Sequence, residues 1–223
     1  MSTDIIVSYD GTSNDDDALA LGRMLAGGGA TLALAYVRHS REFDPRREGL
    51  AQHDAERRLA LGAAWLDDPD LPCHVVVNAS TGAGLAKLAQ QEEASMIVFG
   101  SDYRTPPGRA EPGTSAQYLL EGGSVAIAVA PAGLRTEVRS VIESIAISPA
   151  GTDVAASETA QNLAQTLGAT IRHLDGGDVD LIVVGSQATV PEGRIALSSA
   201  ARVQLSSARS AVLVVPYGKL TRL

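Results

Sequence analysis

Met96-Ile97-Val98-Phe99-Gly100-Ser101 and Leu181-Ile182-Val183-Val184-Gly185-Ser186 are two apolar runs that each end in Gly-Ser, at an offset of 85 residues. The offset persists downstream. Pro106 matches Pro191, Gly108-Arg109 matches Gly193-Arg194, and Pro131 matches Pro216. A short apolar run stopped by glycine reads as a buried strand. After the first run comes a polar loop from Asp102 to Pro112. Gly113-Thr114-Ser115 then opens a short helical pattern, and Val125 to Pro131 forms a second apolar run. Strand, Gly-bounded loop, hydroxyl-bearing helix start and strand outline a phosphate-binding unit, because N–H groups at a helix start are unsatisfied donors. An ordinary βα turn has the same outline, so the stretch alone leaves both readings open.

The chain around this stretch supplies the fold class. Ile5 to Tyr9 reads as a strand that ends at Asp10-Gly11. Asn14 is placed to cap a helix whose first turn carries Asp15-Asp16-Asp17, a solvated start that suits the helix dipole. Thr31 to Val37 reads as a strand, Arg38 to Gly49 as a mobile charged connection, and Ala51 to Leu66 as a long helix. Cys73 to Val77, Met96 to Phe99 and Val125 to Val129 read as strands, with helices over Gly84 to Glu93 and Thr114 to Glu121. This alternation predicts βαβ units on a parallel sheet with helices on both faces. Ligands of such sheets bind beyond the carboxyl ends of the strands. Asp10-Gly11, Val37-Arg38 and Gly100-Ser101 all follow strands and are expected at that edge.

The first strand recurs too. Ile145 to Ser148 with Gly151-Thr152 parallels Ile5 to Ser8 with Gly11-Thr12, at an offset of 140. The two offsets differ by 55 residues. The second unit is therefore expected to lack a helix, a strand and a helix between Thr170–Leu174 and its Gly185 strand. The boundary is expected between Gly133 and Arg139, giving units 1–134 and 140–223.

Composition narrows the function. The chain has 223 residues, 45% of them hydrophobic and 4% aromatic, which predicts an aliphatic core. A net charge of -8 and a pI near 5.0 argue against nucleic acid or an anionic membrane as partner. Met1 opens no charged-then-apolar leader, and no run is long and apolar enough to span a bilayer, so a cytoplasmic location is expected. The single cysteine, Cys73, excludes an intrachain disulfide and reads as a small core residue. His39, His53, His74 and His173 share no metal-ligand spacing, and no Gly-x-Ser-x-Gly occurs. Trp65 reads as a helix anchor. No metal site and no catalytic residue is assigned.

These residues resemble the universal stress protein family. The resemblance implies a Rossmann-like α/β fold, of the adenine nucleotide alpha hydrolase-like kind, with strand order 3-2-1-4-5. Nucleotide-binding members carry Gly-x2-Gly-x9-Gly-Ser/Thr after the fourth strand, and Gly100 to Gly113-Thr114 keeps that span. It implies ATP or AMP as the bound cofactor. Asp10 stands where the family contacts adenosine, and Val37 where backbone faces adenine. Gly100, Gly113, Thr114 and Ser115 stand where ribose and phosphates are held. Tyr103 departs from the pattern at the second glycine, where a side chain is expected to crowd phosphate. Pro106 and Pro107 remove two N–H donors, for which Arg104 and Arg109 can compensate.

In the second unit Ala150 replaces the Asp10 equivalent, and Ala188 and Ser198 replace the second and third glycines. That half reads as a structural partner. Val212 to Val215 is expected to pair with Val125 to Val129 within one chain, as fifth strands pair across family dimers. The resulting internal pseudo-dimer could form a further homodimer. The resemblance implies a role in stress response or signalling, with nucleotide bound and not necessarily turned over. An alternative is the same fold acting as a nucleotide-free protein–protein interaction module. A remote alternative is a calcium-dependent nucleoside hydrolase, because Asp10 and Asp15-Asp16-Asp17 look like its acid cluster. Against it, Ser8 stands where an acid is needed, Pro-Gly is missing, the chain is short, and the repeat is unexplained.

Overall fold

The computed structural model describes residues 3–137, 140–151, 153–174 and 178–223. Five strands alternate with four helices in the first part: β1 (Ile5–Ser8), α1 (Ser13–Ala26), β2 (Leu32–Arg38), α2 (Pro45–Trp65), β3 (Cys73–Val77), α3 (Thr81–Gln91), β4 (Met96–Phe99), α4 (Thr114–Leu120) and β5 (Ala126–Val129). A 3-10 turn at Leu134–Thr136 leads into β6 (Ser144–Ile147), α5 (Val154–Leu167), β7 (Thr170–Arg172), β8 (Leu181–Val184), α6 (Ser199–Ser207) and β9 (Ala211–Val214). The nine strands of the described residues lie in one sheet, in the order β3-β2-β1-β4-β5-β9-β8-β6-β7.

The first half has the strand order 3-2-1-4-5. The second half runs outward from the seam as β9, β8, β6 and β7, the same order with no third strand among the described residues. Neighbouring strands are parallel except at the seam, where β5 and β9 are antiparallel, with Ala128 opposite Leu213. Two βαβ arrays thus meet edge to edge, and neither fifth strand keeps a free edge. Thr152 and Arg139, which figure in the repeat and in the boundary, lie outside the described residues.

Strands buried on both faces must be apolar throughout, and β4, β5, β8 and β9 are. Alternate residues feed two cores. Ile5, Val7, Met96, Val98, Leu181 and Leu213 pack under α1, α2 and α5. Ile6, Ile97, Phe99, Ile127, Ile182 and Val212 pack under α3, α4 and α6. Both cores run through the seam, so the halves share one interior.

Four local expectations are corrected. Thr12, not Asn14, stands at the cap of α1, and its N–H and hydroxyl both donate to Asp15 (3.1 and 2.8 Å). Asn14 instead donates through Nδ2 to the carbonyls of Ser101 and Asp102, each at 2.9 Å. Asp17 is not solvated but fully buried, accepting from the N–H groups of Gly133 and Arg135 and from the Arg135 guanidinium. The connection after β2 is tied down: Arg38 belongs to β2, is buried, and makes a bidentate pair with Glu48 of α2 (3.1 and 2.6 Å). Cys73 is exposed, because β3 is an edge strand.

Candidate functional site

The carboxyl ends of β1, β2 and β4 meet the starts of α1, α3 and α4 around a cavity of about 370 Å³. All six residues singled out in the sequence line it: Asp10, Val37, Gly100, Gly113, Thr114 and Ser115. They come from four separate segments of the chain, brought together by the crossover at β1 and β4.

The turn after β1 forms one wall. Gly11 has φ +88°, a conformation that favours glycine, and lets the chain reverse directly into α1. Asp15 fastens this turn. Its Oδ2 accepts from the Asp10 N–H (3.0 Å) and from the N–H and hydroxyl of Thr12. Asp10 Oδ1 accepts the Thr12 N–H at 3.1 Å. Arg58 of α2 donates to the Asp10 carbonyl at 3.0 Å. Its guanidinium is braced by Asp54 and lies over the Tyr36 ring.

The opposite wall is the loop after β4. Ser101 is buried and organises it: its hydroxyl donates to the Ala130 carbonyl (2.7 Å) and accepts the Glu111 N–H (3.0 Å). Ser186 repeats this with Val215 and Ala196 at 2.7 and 3.2 Å. The Gly-Ser pair that reveals the repeat therefore builds the loop. Gly100 is glycine for the same architectural reason, since a Cβ there would lie 2.0 Å from the Asn14 carbonyl oxygen. Gly113 differs. A Cβ there would meet nothing closer than Asp102 Cα at 3.8 Å, and its φ of -71° suits any residue. Nothing among the described residues requires glycine at that position, which is open to the cavity.

Tyr103 does not crowd the site. It is 72% exposed, lies outside the cavity lining, and carries Arg104 on its ring at 4.8 Å. The Arg104 Nε also donates to the Tyr103 hydroxyl at 2.6 Å. The loop's N–H groups are largely used internally or across the seam, as in Asp102 to Glu111 and Ala110 to Ala208. Neither Arg104 nor Arg109 lines the cavity, whereas Arg58 does. Arg58, Asp15 and Thr81 join the site without a sequence signal that assigns them to it. Arg58 lies beside the stripe Ala51, Ala55, Leu59, but that periodicity does not tell which flank faces a cavity.

The four acids near the start of α1 diverge. Asp10 and Asp15 reach the cavity and Asp17 enters the core. Among the described residues no group of three or more His, Cys, Asp or Glu could hold a metal ion. Burial, and then the neighbouring Asp10, push the Asp15 carboxyl up to about 7. Burial, with Asp16 next, pushes the Tyr9 hydroxyl up to about 12. In the second unit the corresponding gap is bridged by the chain itself: Ser198 donates to the Ala150 carbonyl at 3.0 Å and accepts the Ala201 N–H. Among the described residues no helix is long and apolar enough to cross a membrane.

Comparison with known proteins agrees with this architecture. The chain is similar to a universal stress protein from Archaeoglobus fulgidus, with 14% identity and a TM-score of 0.69 over 98% of this chain and 100% of that one. A functionally unknown protein from Pseudomonas aeruginosa aligns with a TM-score of 0.61 at 14% identity, over 96% of this chain and 93% of its own. At these identities the likeness is one of fold, and it spans both halves. No curated protein matches in sequence. The sequence model of the universal stress protein family matches residues 1–131, more than half of the chain. Its repeated Gly-Ser loops, its 3-2-1-4-5 sheet and that match together make the chain a member of the universal stress protein family.

Proposed function

We propose that the first unit, residues 1–134, binds an adenine nucleotide, ATP or AMP, in the cavity between Asp10 and Gly113. The second unit, residues 140–223, completes the sheet as its structural partner in an internal pseudo-dimer. The observation that carries this reading is the convergence of all six motif positions on one cavity, with Gly113 open to it and Tyr103 outside it. In this reading Asp10 accepts from ribose hydroxyls and the Val37 backbone faces adenine. The hydroxyls and N–H groups of Thr114 and Ser115, with the approach that Gly113 permits, hold phosphate. The protein then serves as a cytoplasmic stress-response or signalling module whose state is read through bound nucleotide.

Calorimetry with ATP and AMP tests this directly. Gly113→Asp adds a carboxylate where phosphate is placed, at a backbone conformation that accepts any residue. Affinity is expected to fall at least about tenfold, equivalent to about 1.4 kcal/mol. Binding that survives Gly113→Asp unchanged would remove the site. No binding by the wild type would instead favour the nucleotide-free interaction module. Adenine nucleotide carried through purification, seen by absorbance and chromatography, would support the reading independently.

A further inference from the structure

Gly113 opens onto the cavity, and the side chain beside it is that of Asp102. A Cβ on Gly113 would lie 3.9 Å from Asp102 Oδ2. A carboxylate therefore stands at the end of the cavity where the nucleotide reading places phosphate. Its position is fixed. The Asp102 N–H donates to the Glu111 carbonyl at 2.8 Å, and the Asp102 carbonyl accepts from the Thr105 N–H and from Asn14 Nδ2, both at 2.9 Å. The side chain is fastened through Oδ1, which accepts the Arg104 N–H at 3.0 Å. Oδ2 is left toward Gly113.

The scaffold does not ask for an acid at this position. At the 85-residue offset Asp102 corresponds to Gln187. The Gln187 N–H donates to the Ala196 carbonyl at 2.8 Å, as that of Asp102 does to Glu111. The second unit thus builds the same loop around an uncharged side chain. Nor is the charge of Asp102 neutralised. The Arg104 guanidinium is engaged with Tyr103, and among the described residues Asp102 makes no ion pair.

The opposite wall is acidic as well, because Asp10 and Asp15 line it from the β1–α1 turn. Among the described residues that line the cavity, Arg58 carries the permanent positive charge, and Asp54 shares it at 3.1 Å. One phosphate can be held by neutral donors near Gly113. Each further phosphate adds negative charge between two walls that already carry carboxylates.

We propose that Asp102 sets the length of the phosphate chain that the cavity accepts, so that its ligand is a nucleoside monophosphate, AMP, in preference to a triphosphate. This rests on the nucleotide reading above and narrows it. Asp102 acts through charge across the Gly113 opening, and like-charge repulsion raises the cost of every phosphate beyond the first.

The experiment is calorimetric titration of the full chain with AMP and with ATP, without divalent cations and at about pH 8, where terminal phosphates carry their full charge. AMP is expected to bind roughly three- to tenfold more tightly than ATP at low salt, the factor that a like charge several ångströms away exerts in a wet cavity. Asp102→Asn keeps an acceptor oxygen for the Arg104 N–H and removes the charge. It is expected to raise affinity for ATP by a similar factor and affinity for AMP by less. Should Asp102→Asn fail to fold, salt reads the same effect in the wild type. The preference for AMP is expected to shrink between about 0.05 and about 0.5 M salt, as screening weakens the repulsion. ATP bound as tightly as AMP, a preference that salt leaves unchanged, or an Asp102→Asn protein in which both affinities shift equally overturns the proposal and leaves the nucleotide reading standing. Absence of binding of both nucleotides by the wild type overturns that reading and the proposal with it.

Discussion

Gly100 and Gly113 open and close the loop after β4, and the sequence pattern treats them as one motif. Their surroundings separate them. Gly100 is jammed against the carbonyl of Asn14, whereas Gly113 faces the cavity with no close neighbour. Gly100→Ala is therefore expected to destabilise the protein by about 1–3 kcal/mol, the cost of forcing an extra methyl group into a packed site. Gly113→Ala should leave stability within roughly 0.5 kcal/mol of wild type, as an open position allows. Urea unfolding of both proteins checks the contrast, and equal destabilisation would contradict it. What is legible at this scale is residue identity at motif positions. Side-chain direction is not. The motif pattern sets Tyr103 against phosphate, yet the loop turns it to solvent, because Asn14 pins the Ser101 and Asp102 carbonyls from outside the motif. Asp17 reads as solvated for a similar reason. Its partners, Gly133 and Arg135, lie far along the chain, and no local pattern announces them.

Elements are easier to read than their ends. The buried strands announce themselves as unbroken apolar runs, and the repeat fixes which helix and strand the second unit omits. α2 begins at Pro45, earlier than its apolar stripe, because its first turn is held by the Asp44 cap and by Glu48 reaching Arg38 rather than by the core. The antiparallel register of β5 with β9 is the element on which the two halves depend. It buries apolar residues of both strands and satisfies the edge groups of each. A fragment of residues 1–134 leaves β5 as a bare apolar edge. Analytical ultracentrifugation should find it associating with rising concentration, through β5 or by precipitation. A fragment that stays monomeric and folded at high concentration would show that β9 is dispensable to β5.

At the scale of the whole molecule the two halves repeat a scaffold but not the residues that line the first cavity. Ser101 and Ser186 organise equivalent loops with equivalent partners, so the repeated Gly-Ser pair marks architecture. The chemistry diverged at three positions legible in the sequence: Ala150 in place of the Asp10 equivalent, and Ala188 and Ser198 in place of glycines. The structure adds the Ser198–Ala150 hydrogen bond across the second gap. What composition cannot convey is that two carboxyls reach the first cavity, with Asp15 accepting the Asp10 N–H, since Asp15 reads from the sequence as one acid among three at a helix start. The proposed function is asymmetric: one nucleotide per chain, held by the first unit alone. Its most direct measurement is the calorimetric stoichiometry of ATP or AMP on the full chain. One site per chain, lost on Gly113→Asp, is the expected result. Two sites per chain, or one site that Gly113→Asp leaves intact, would contradict it.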